Sequence, residues 1–180
     1  RKIHSNNTPA IGGVVIFFSL FLFFIFHLIF DYTILFVANF NVLFFCTTLF
    51  FLLGLLDDIY DLNVYYKLIF QVLICSIAVF TIDFIHDFRW HFFDIYCSDF
   101  FSYFFSITFM LIVINGINFL DGVDGLLSIL GVLMLGSFYF LFAIDLFHFL
   151  SILIGSLLAI FRFNKYPAKI FLGDSGSLLL

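Results

Sequence analysis

The chain has 180 residues, of which 64% are hydrophobic and only 11% charged. A soluble domain of this length needs a polar shell that so few charges cannot supply, so a water-solvated globule is excluded and the bilayer is the solvent. The formal net charge of −5 excludes little, because the placement of charges matters more than their sum in a membrane protein. Phe is abundant at 33 residues and Glu is absent, which reads as codon bias rather than an aromatic binding box.

About 20 apolar residues cross a bilayer as helix. Six such runs are expected in chain order, over 10–30, 40–56, 64–84, 102–118, 126–143 and 146–163. The predicted fold class is therefore all-α, a multi-pass transmembrane helical bundle. The chain starts at Arg1 without a Met and stops after a polar motif, which reads as a fragment of a longer protein. Six spans divide the connections into two sets. Arg1, Lys2, Lys67, Arg162, Lys165 and Lys169 fall in or beside one set, and Arg89 alone in the other. The positive-inside rule makes the first set cytoplasmic. The opposite loop, 85–101, reads as an interfacial connector with Trp90 as anchor, and its alternation also suits a short hairpin lying on the membrane. Cys46, Cys75 and Cys97 have no metal-ligand spacing, and Cys46 and Cys75 read as packing residues.

Every unusual polar cluster lies on the cytoplasmic side. Asp57, Asp58 and Asp61 close an apolar run, with Asp61 on the same face if helix continues. A helix cap needs one Asp, whereas carboxylates this close repel unless a cation or protons neutralise them. Mg²⁺ suits such oxygens together with substrate phosphates. Asn115, Asn118, Asp121 and Asp124 recur every three positions, and Gly122 and Gly125 suggest a helix break lining a cavity. Gly173-Asp174-Ser175-Gly176-Ser177 follows Lys165 and Lys169, a combination suited to phosphate. Lys67 and Gln71 lie one turn apart near the start of a span. Lys67 either snorkels to headgroups or contacts phosphate, and Gln71, costly in lipid, faces the bundle.

Together these clusters resemble the polyprenyl-phosphate N-acetylhexosamine-1-phosphate transferase family. The resemblance runs in order through Arg1-Lys2-Ile3-His4 with Thr8-Pro9-Ala10-Ile11-Gly12-Gly13, then Leu53 to Asp58, Asn115 to Gly125 and Phe163 to Ser177. It implies a single transmembrane catalytic domain over 1–180, truncated at the C-terminus, where further spans are expected, and expected to be truncated at the N-terminus too. It also implies transfer of a sugar 1-phosphate, expected to be GlcNAc-1-phosphate, from a UDP-sugar to undecaprenyl phosphate with release of UMP. By this resemblance Asp57, Asp58, Asp121 and Asp124 are the expected catalytic residues. Lys2, Thr8, Lys67, Asn115, Asn118 and Asn164 face substrate, and Asp174 with Asp57 holds Mg²⁺, or Mn²⁺ in its place. The expected setting is a bacterial plasma membrane with the site facing the cytoplasm, without nucleic acid, and with a homodimer as an open possibility. Within the family, Asp57-Asp58-Ile59-Tyr60-Asp61-Leu62 looks more like the GlcNAc-1-phosphate branch than the phospho-MurNAc-pentapeptide branch. Two rival readings are an intramembrane prenyltransferase, since Asp57 to Asp61 spells DDxxD, and an ion-coupled transporter using intramembrane carboxylates.

Overall fold

Helices dominate the chain because lipid leaves backbone amides no partner but each other. A computed structural model describes residues 8–30, 40–82, 88–90, 93–95 and 98–180. The helices are α1 (Gly12–Phe30), α2 (Phe40–Tyr60), α3 (Val64–Ile82), α4 (Asp99–Leu120), α5 (Leu126–Asn164) and the five-residue α6 (Gly173–Ser177). Two short strands, β1 (Phe88–Trp90) and β2 (Phe93–Ile95), pair antiparallel between α3 and α4. The described residues of this loop thus pair as the two strands of a short hairpin, a small addition to an otherwise helical bundle.

Among the described residues, Asn41–Tyr60, Val64–Thr81 and Asp99–Leu120 are long and apolar enough to cross a membrane. Gly12–Phe26, Leu126–Phe140 and His148–Asn164 are shorter apolar stretches. The last two predicted spans share one continuous helical element, α5, of 39 residues. A straight helix of that length would hold its ends roughly 60 Å apart. Instead, Asn164 Oδ1 accepts hydrogen bonds from the Gly125 amide at 3.1 Å and the Ser128 hydroxyl at 3.0 Å. Gly131 likewise faces Leu157. The element therefore doubles back, and these pairings centre the reversal near 144–145, where the sequence predicts a connection.

Packing follows membrane rules, in which close contact and small residues replace the hydrophobic effect. Phe17 of α1 stacks on Phe51 of α2 with ring centroids 4.0 Å apart, and Phe24 stacks on Phe44 at the same spacing. The Phe-rich composition is used here for packing. One buried cluster joins α1, α2 and both arms of α5 through Ile16, Leu20, Phe51, Leu127, Leu153 and Leu157. A second joins α2 and α3 through Cys46, Phe50, Leu53, Ile74, Cys75 and Ala78. Large apolar side chains such as Phe18, Leu22, Phe104 and Phe140 remain exposed on the outside, as a lipid-facing surface requires.

The short helix α6 is wedged between α1 and α2. A Cβ on Gly13 would stand 2.2 Å from the Gly176 nitrogen, and one on Gly54 would stand 2.3 Å from the Asp174 carbonyl oxygen. Only glycine admits backbone at that range. The chain before α1 completes the seat. Ala10 bridges Phe171 in parallel, and the Gly12 and Gly13 amides donate to the Phe171 and Leu172 carbonyls. Those amides are first-turn donors of α1 that have no intrahelical acceptor.

Gly54→Leu should therefore prevent α6 from seating, with loss of the monodisperse folded protein on size exclusion in detergent. Gly155→Ala, where a Cβ meets nothing within 4 Å, should fold normally and gain roughly 0.5–1 kcal/mol of helix stability in thermal unfolding. Equal tolerance at both positions would disprove the wedge.

Candidate functional site

The polar residues gather at one end of the bundle because each lies at a helix terminus facing the same side. Asp57 and Asp58 occupy the last turn of α2, Asp121 caps α4, and Asp174 begins α6. Helix α2 stops at Tyr60 because Asp61 turns to φ +48°, a left-handed conformation that Asp tolerates. The sequence expects Asp61 on the face of Asp57 and Asp58. The turn instead leaves it exposed and off that face.

Asp58 is the acceptor for the start of α6. Its Oδ1 takes the Asp174 amide at 2.8 Å and its Oδ2 takes the Ser175 amide at 3.0 Å. Gly173, at φ +76°, makes the turn that aims those amides, and a Cβ there would strike Asp58. Asp121 adds a third bond, with its Oδ2 accepting the Gly173 amide at 2.7 Å.

Asp174 then projects into the site. Its Oδ2 pairs with Lys67 Nζ, and its Oδ1 accepts Asn118 Nδ2 at 2.8 Å. Lys67 also pairs with Asp57 Oδ2 at 2.7 Å, while Asp57 Oδ1 accepts the Leu62 amide at 2.8 Å. The Lys67 and Asp57 side chains are 13% and 12% exposed, so this ion pair is largely shielded from solvent. Burial pushes the Asp174 carboxyl up, but hydrogen bonds with Asp57, Lys67 and Asn118 outweigh it and hold the group below its ordinary range. Asp121 moves the other way. Burial pushes it up to about 7, against the Gly173 and Leu172 amides, and the neighbouring Asp174 and Asp58 charges add to the rise. Its Oδ1 is buried without a hydrogen-bond partner.

Four of the expected carboxylates, Asp57, Asp58, Asp121 and Asp174, are thus joined in one network, with Lys67 and Asn118. Asp124 sits beside it, where its Oδ2 accepts the Ala168 amide at 3.0 Å and holds the loop before α6. The Asn164 amide is engaged within the fold. It is buried, its oxygen joins the two arms of α5, and its Nδ2 donates to the Ile170 carbonyl at 2.9 Å. Asn115 also turns away from the site, donating to Gln71 Oε1 at 2.9 Å and to the Leu111 carbonyl at 2.8 Å. Both were expected to face substrate, and both are used to join helices. Thr8 is half-buried on the strand-like entry to α1, and Lys2 lies outside the described residues.

Ser177 belongs to the phosphate-suited motif but is not singled out by the sequence as a partner of Asn118, whose Nδ2 its Oγ accepts at 2.8 Å. Its signal was the three-residue spacing from Asp174, one helical turn. Gly13 and Gly54 were missed as a pair because their shared neighbour is distant in sequence.

Among the described residues no group of three or more His, Cys, Asp or Glu side chains is placed to hold a metal ion. Two carboxylate oxygens, Asp57 Oδ2 and Asp174 Oδ2, do converge on one positive group, and Asp121 Oδ1 is unpartnered nearby. Mg²⁺ is bound by one or two carboxylates plus water and substrate phosphates rather than by an all-protein cage, so these residues fit it.

Comparison with known proteins adds identity to this geometry. The chain is 34% identical over its whole length to the undecaprenyl-phosphate alpha-N-acetylglucosaminyl 1-phosphate transferase of Thermotoga maritima, covering 51% of that protein. It is 32% identical over 97% of its length to the phospho-N-acetylmuramoyl-pentapeptide-transferase of Bacillus subtilis, covering 58% of it. The Streptococcus gordonii protein of the latter name is 45% identical over 44% of this chain and 26% of its own length. The chain therefore spans about half the length of the full-length matches. With residues 40–180 matching the pattern of glycosyl transferase family 4 and the Asp57–Lys67–Asp174 network inside that range, the chain belongs to glycosyl transferase family 4.

Proposed function

We propose that this chain forms the core of a membrane phospho-sugar transferase that moves a sugar 1-phosphate, GlcNAc-1-phosphate first among candidates, from a UDP-sugar to undecaprenyl phosphate. The observation that carries the reading is the Lys67 bridge between Asp57 and Asp174. It joins residues far apart in sequence at the end of the bundle where Arg162, Lys165 and Lys169 cluster, which the positive-inside rule assigns to the cytoplasm.

In this mechanism a lipid phosphate oxygen attacks the β-phosphorus of the UDP-sugar. The bond from that phosphorus to the bridging oxygen breaks, and UMP leaves with the electron pair. Asp57 orients the attacking phosphate and keeps it deprotonated. Asp58 has both oxygens on backbone amides, so it positions Asp174 instead of meeting substrate. Lys67 and Asn118 hold the Asp174 carboxylate in one orientation. Asp57 and Asp174 would hold Mg²⁺, which when bound supplies charge neutralisation at the diphosphate.

The geometry speaks against both rivals. The DDxxD reading needs Asp57, Asp58 and Asp61 to meet one diphosphate, yet Asp61 is turned away and Asp58 is occupied by amides. A transporter would carry its carboxylates near the bilayer midplane, whereas these lie at helix ends.

The first test offers the full-length protein undecaprenyl phosphate, Mg²⁺ and either UDP-GlcNAc or UDP-MurNAc-pentapeptide. UMP release with UDP-GlcNAc is expected, release only with the second donor would reassign the sugar, and release with neither would end the transferase reading. Asp57→Asn and Asp174→Asn should each lower kcat by roughly 10²–10³-fold. Asp174→Asn should also weaken Mn²⁺ binding followed by electron paramagnetic resonance, and unchanged binding would remove Asp174 as a ligand.

Lys67→Met should change the pH profile. Asp174 is held below its ordinary range partly by Lys67, so its ionised form stabilises the fold above about pH 4 and loses that effect as pH falls through the depressed value. Without Lys67 that carboxyl rises, and the acid limbs of both activity and thermal stability should move to higher pH. An unmoved acid limb would show that Lys67 does not set the ionisation of Asp174.

A further inference from the structure

Lys67 on α3 and Asn118 on α4 grip opposite oxygens of Asp174. One turn deeper into the bundle, Gln71 follows Lys67 on α3 and Asn115 precedes Asn118 on α4. These two side chains meet across the same seam, with Asn115 Nδ2 donating to Gln71 Oε1 at 2.9 Å. A second bond from Asn115 Nδ2 to the Leu111 carbonyl fixes the amide against its own helix. Gln71 is completely buried, beside the apolar cluster of Ile74, Cys75, Leu111 and Ile114.

From this geometry we infer that Gln71 and Asn115 are positioning residues that set the register of α3 against α4, and so the approach of Lys67 and Asn118 to Asp174. The inference rests on the transferase reading above. Packing alone does not account for the pair. Gln71 Nε2 is buried with no hydrogen-bond partner, a cost that an apolar side chain of similar size would avoid. A directional bond in a low-dielectric seam does what apolar contact cannot. Sliding either helix by one residue, about 1.5 Å, breaks it, whereas apolar side chains slide with little penalty. The pair lies one turn from the site on both helices, so a shift there is carried to the Lys67 and Asn118 side chains with little loss.

The experiment uses the full-length enzyme with Gln71→Leu, Asn115→Leu and the exchange Gln71→Asn with Asn115→Gln, which keeps the combined side-chain length. Each Leu variant should lose about 10- to 100-fold in kcat, the scale of an ångström-level misplacement. KM for the UDP-sugar should stay within about twofold, since no substrate contact is removed. Thermal stability should hold or rise in Gln71→Leu and fall in Asn115→Leu, which leaves buried Gln71 without a partner, and the exchange should recover most of kcat. A second measurement does not need activity. Spin labels replacing the exposed Tyr65 and Phe119, in a cysteine-free background, report the spacing of the α3 and α4 ends. Their distance distribution should broaden or shift in Gln71→Leu and return in the exchange. Leu variants with wild-type kcat and an unchanged distribution would overturn the inference, as would a loss of activity that follows unfolding and is not recovered by the exchange. If the wild-type enzyme releases no UMP, the transferase reading fails, and the distance measurement still decides the positioning role.

Discussion

The site is organised by one interaction, the acceptance of the Asp174 and Ser175 amides by the Asp58 carboxylate. Hydrogen bonds to a charged acceptor contribute about 1.5–3 kcal/mol each, enough to fix a five-residue helix that could not hold itself together. The bond also determines direction. With its amide tied to α2, Asp174 meets Lys67 and Asn118 through its carboxylate. The glycines at 13 and 54 are the steric counterpart, since they let α6 come close enough for Asp58 to reach it.

Crowding several carboxylates at one end of a bundle raises an electrostatic problem, and the structure answers it differently at each position. Asp58 is compensated by backbone amide dipoles. Asp57 and Asp174 share the single ammonium of Lys67. Asp121 is shifted by burial toward protonation near neutral pH. Removing one partner of such a shielded pair leaves an uncompensated charge, which costs more than the pair itself contributes. The arrangement therefore tolerates little change, yet it leaves the Lys67-facing oxygens grouped where a cation and phosphates would meet them.

Around this polar end the bundle obeys the rules of a lipid solvent. Stacked Phe pairs join α1 to α2, and buried amides join α3 to α4 and the two arms of α5. Asn164 illustrates the economy of such a fold. One buried side chain takes two donors from the start of α5 and gives a hydrogen bond to the loop leading into α6. Polar residues inside a membrane protein are commonly read as functional, but here several join one segment of the fold to another.

By itself the sequence determined the solvent, the helical class and the approximate spans, and it placed the acidic clusters at span ends. These are local properties, since run length and charge placement are read directly along the chain. The family motifs likewise marked Asp57, Asp58, Asp121, Asp124 and Asp174 as one group, of which Asp124 instead holds the Ala168 amide. What the tertiary structure decided was the division of labour among them. That Asp58 holds backbone while Asp57 faces Lys67 depends on where α6 lands, more than a hundred residues later in the chain. Asn115 and Asn164 read as substrate residues in a motif, yet their partners Gln71, Ser128 and Ile170 come from other segments. The doubling back of α5 was visible only as a weak polar break, because apolar periodicity is the same on both arms. Contacts between distant segments depend on packing in three dimensions, and spacing along one segment carries no record of them.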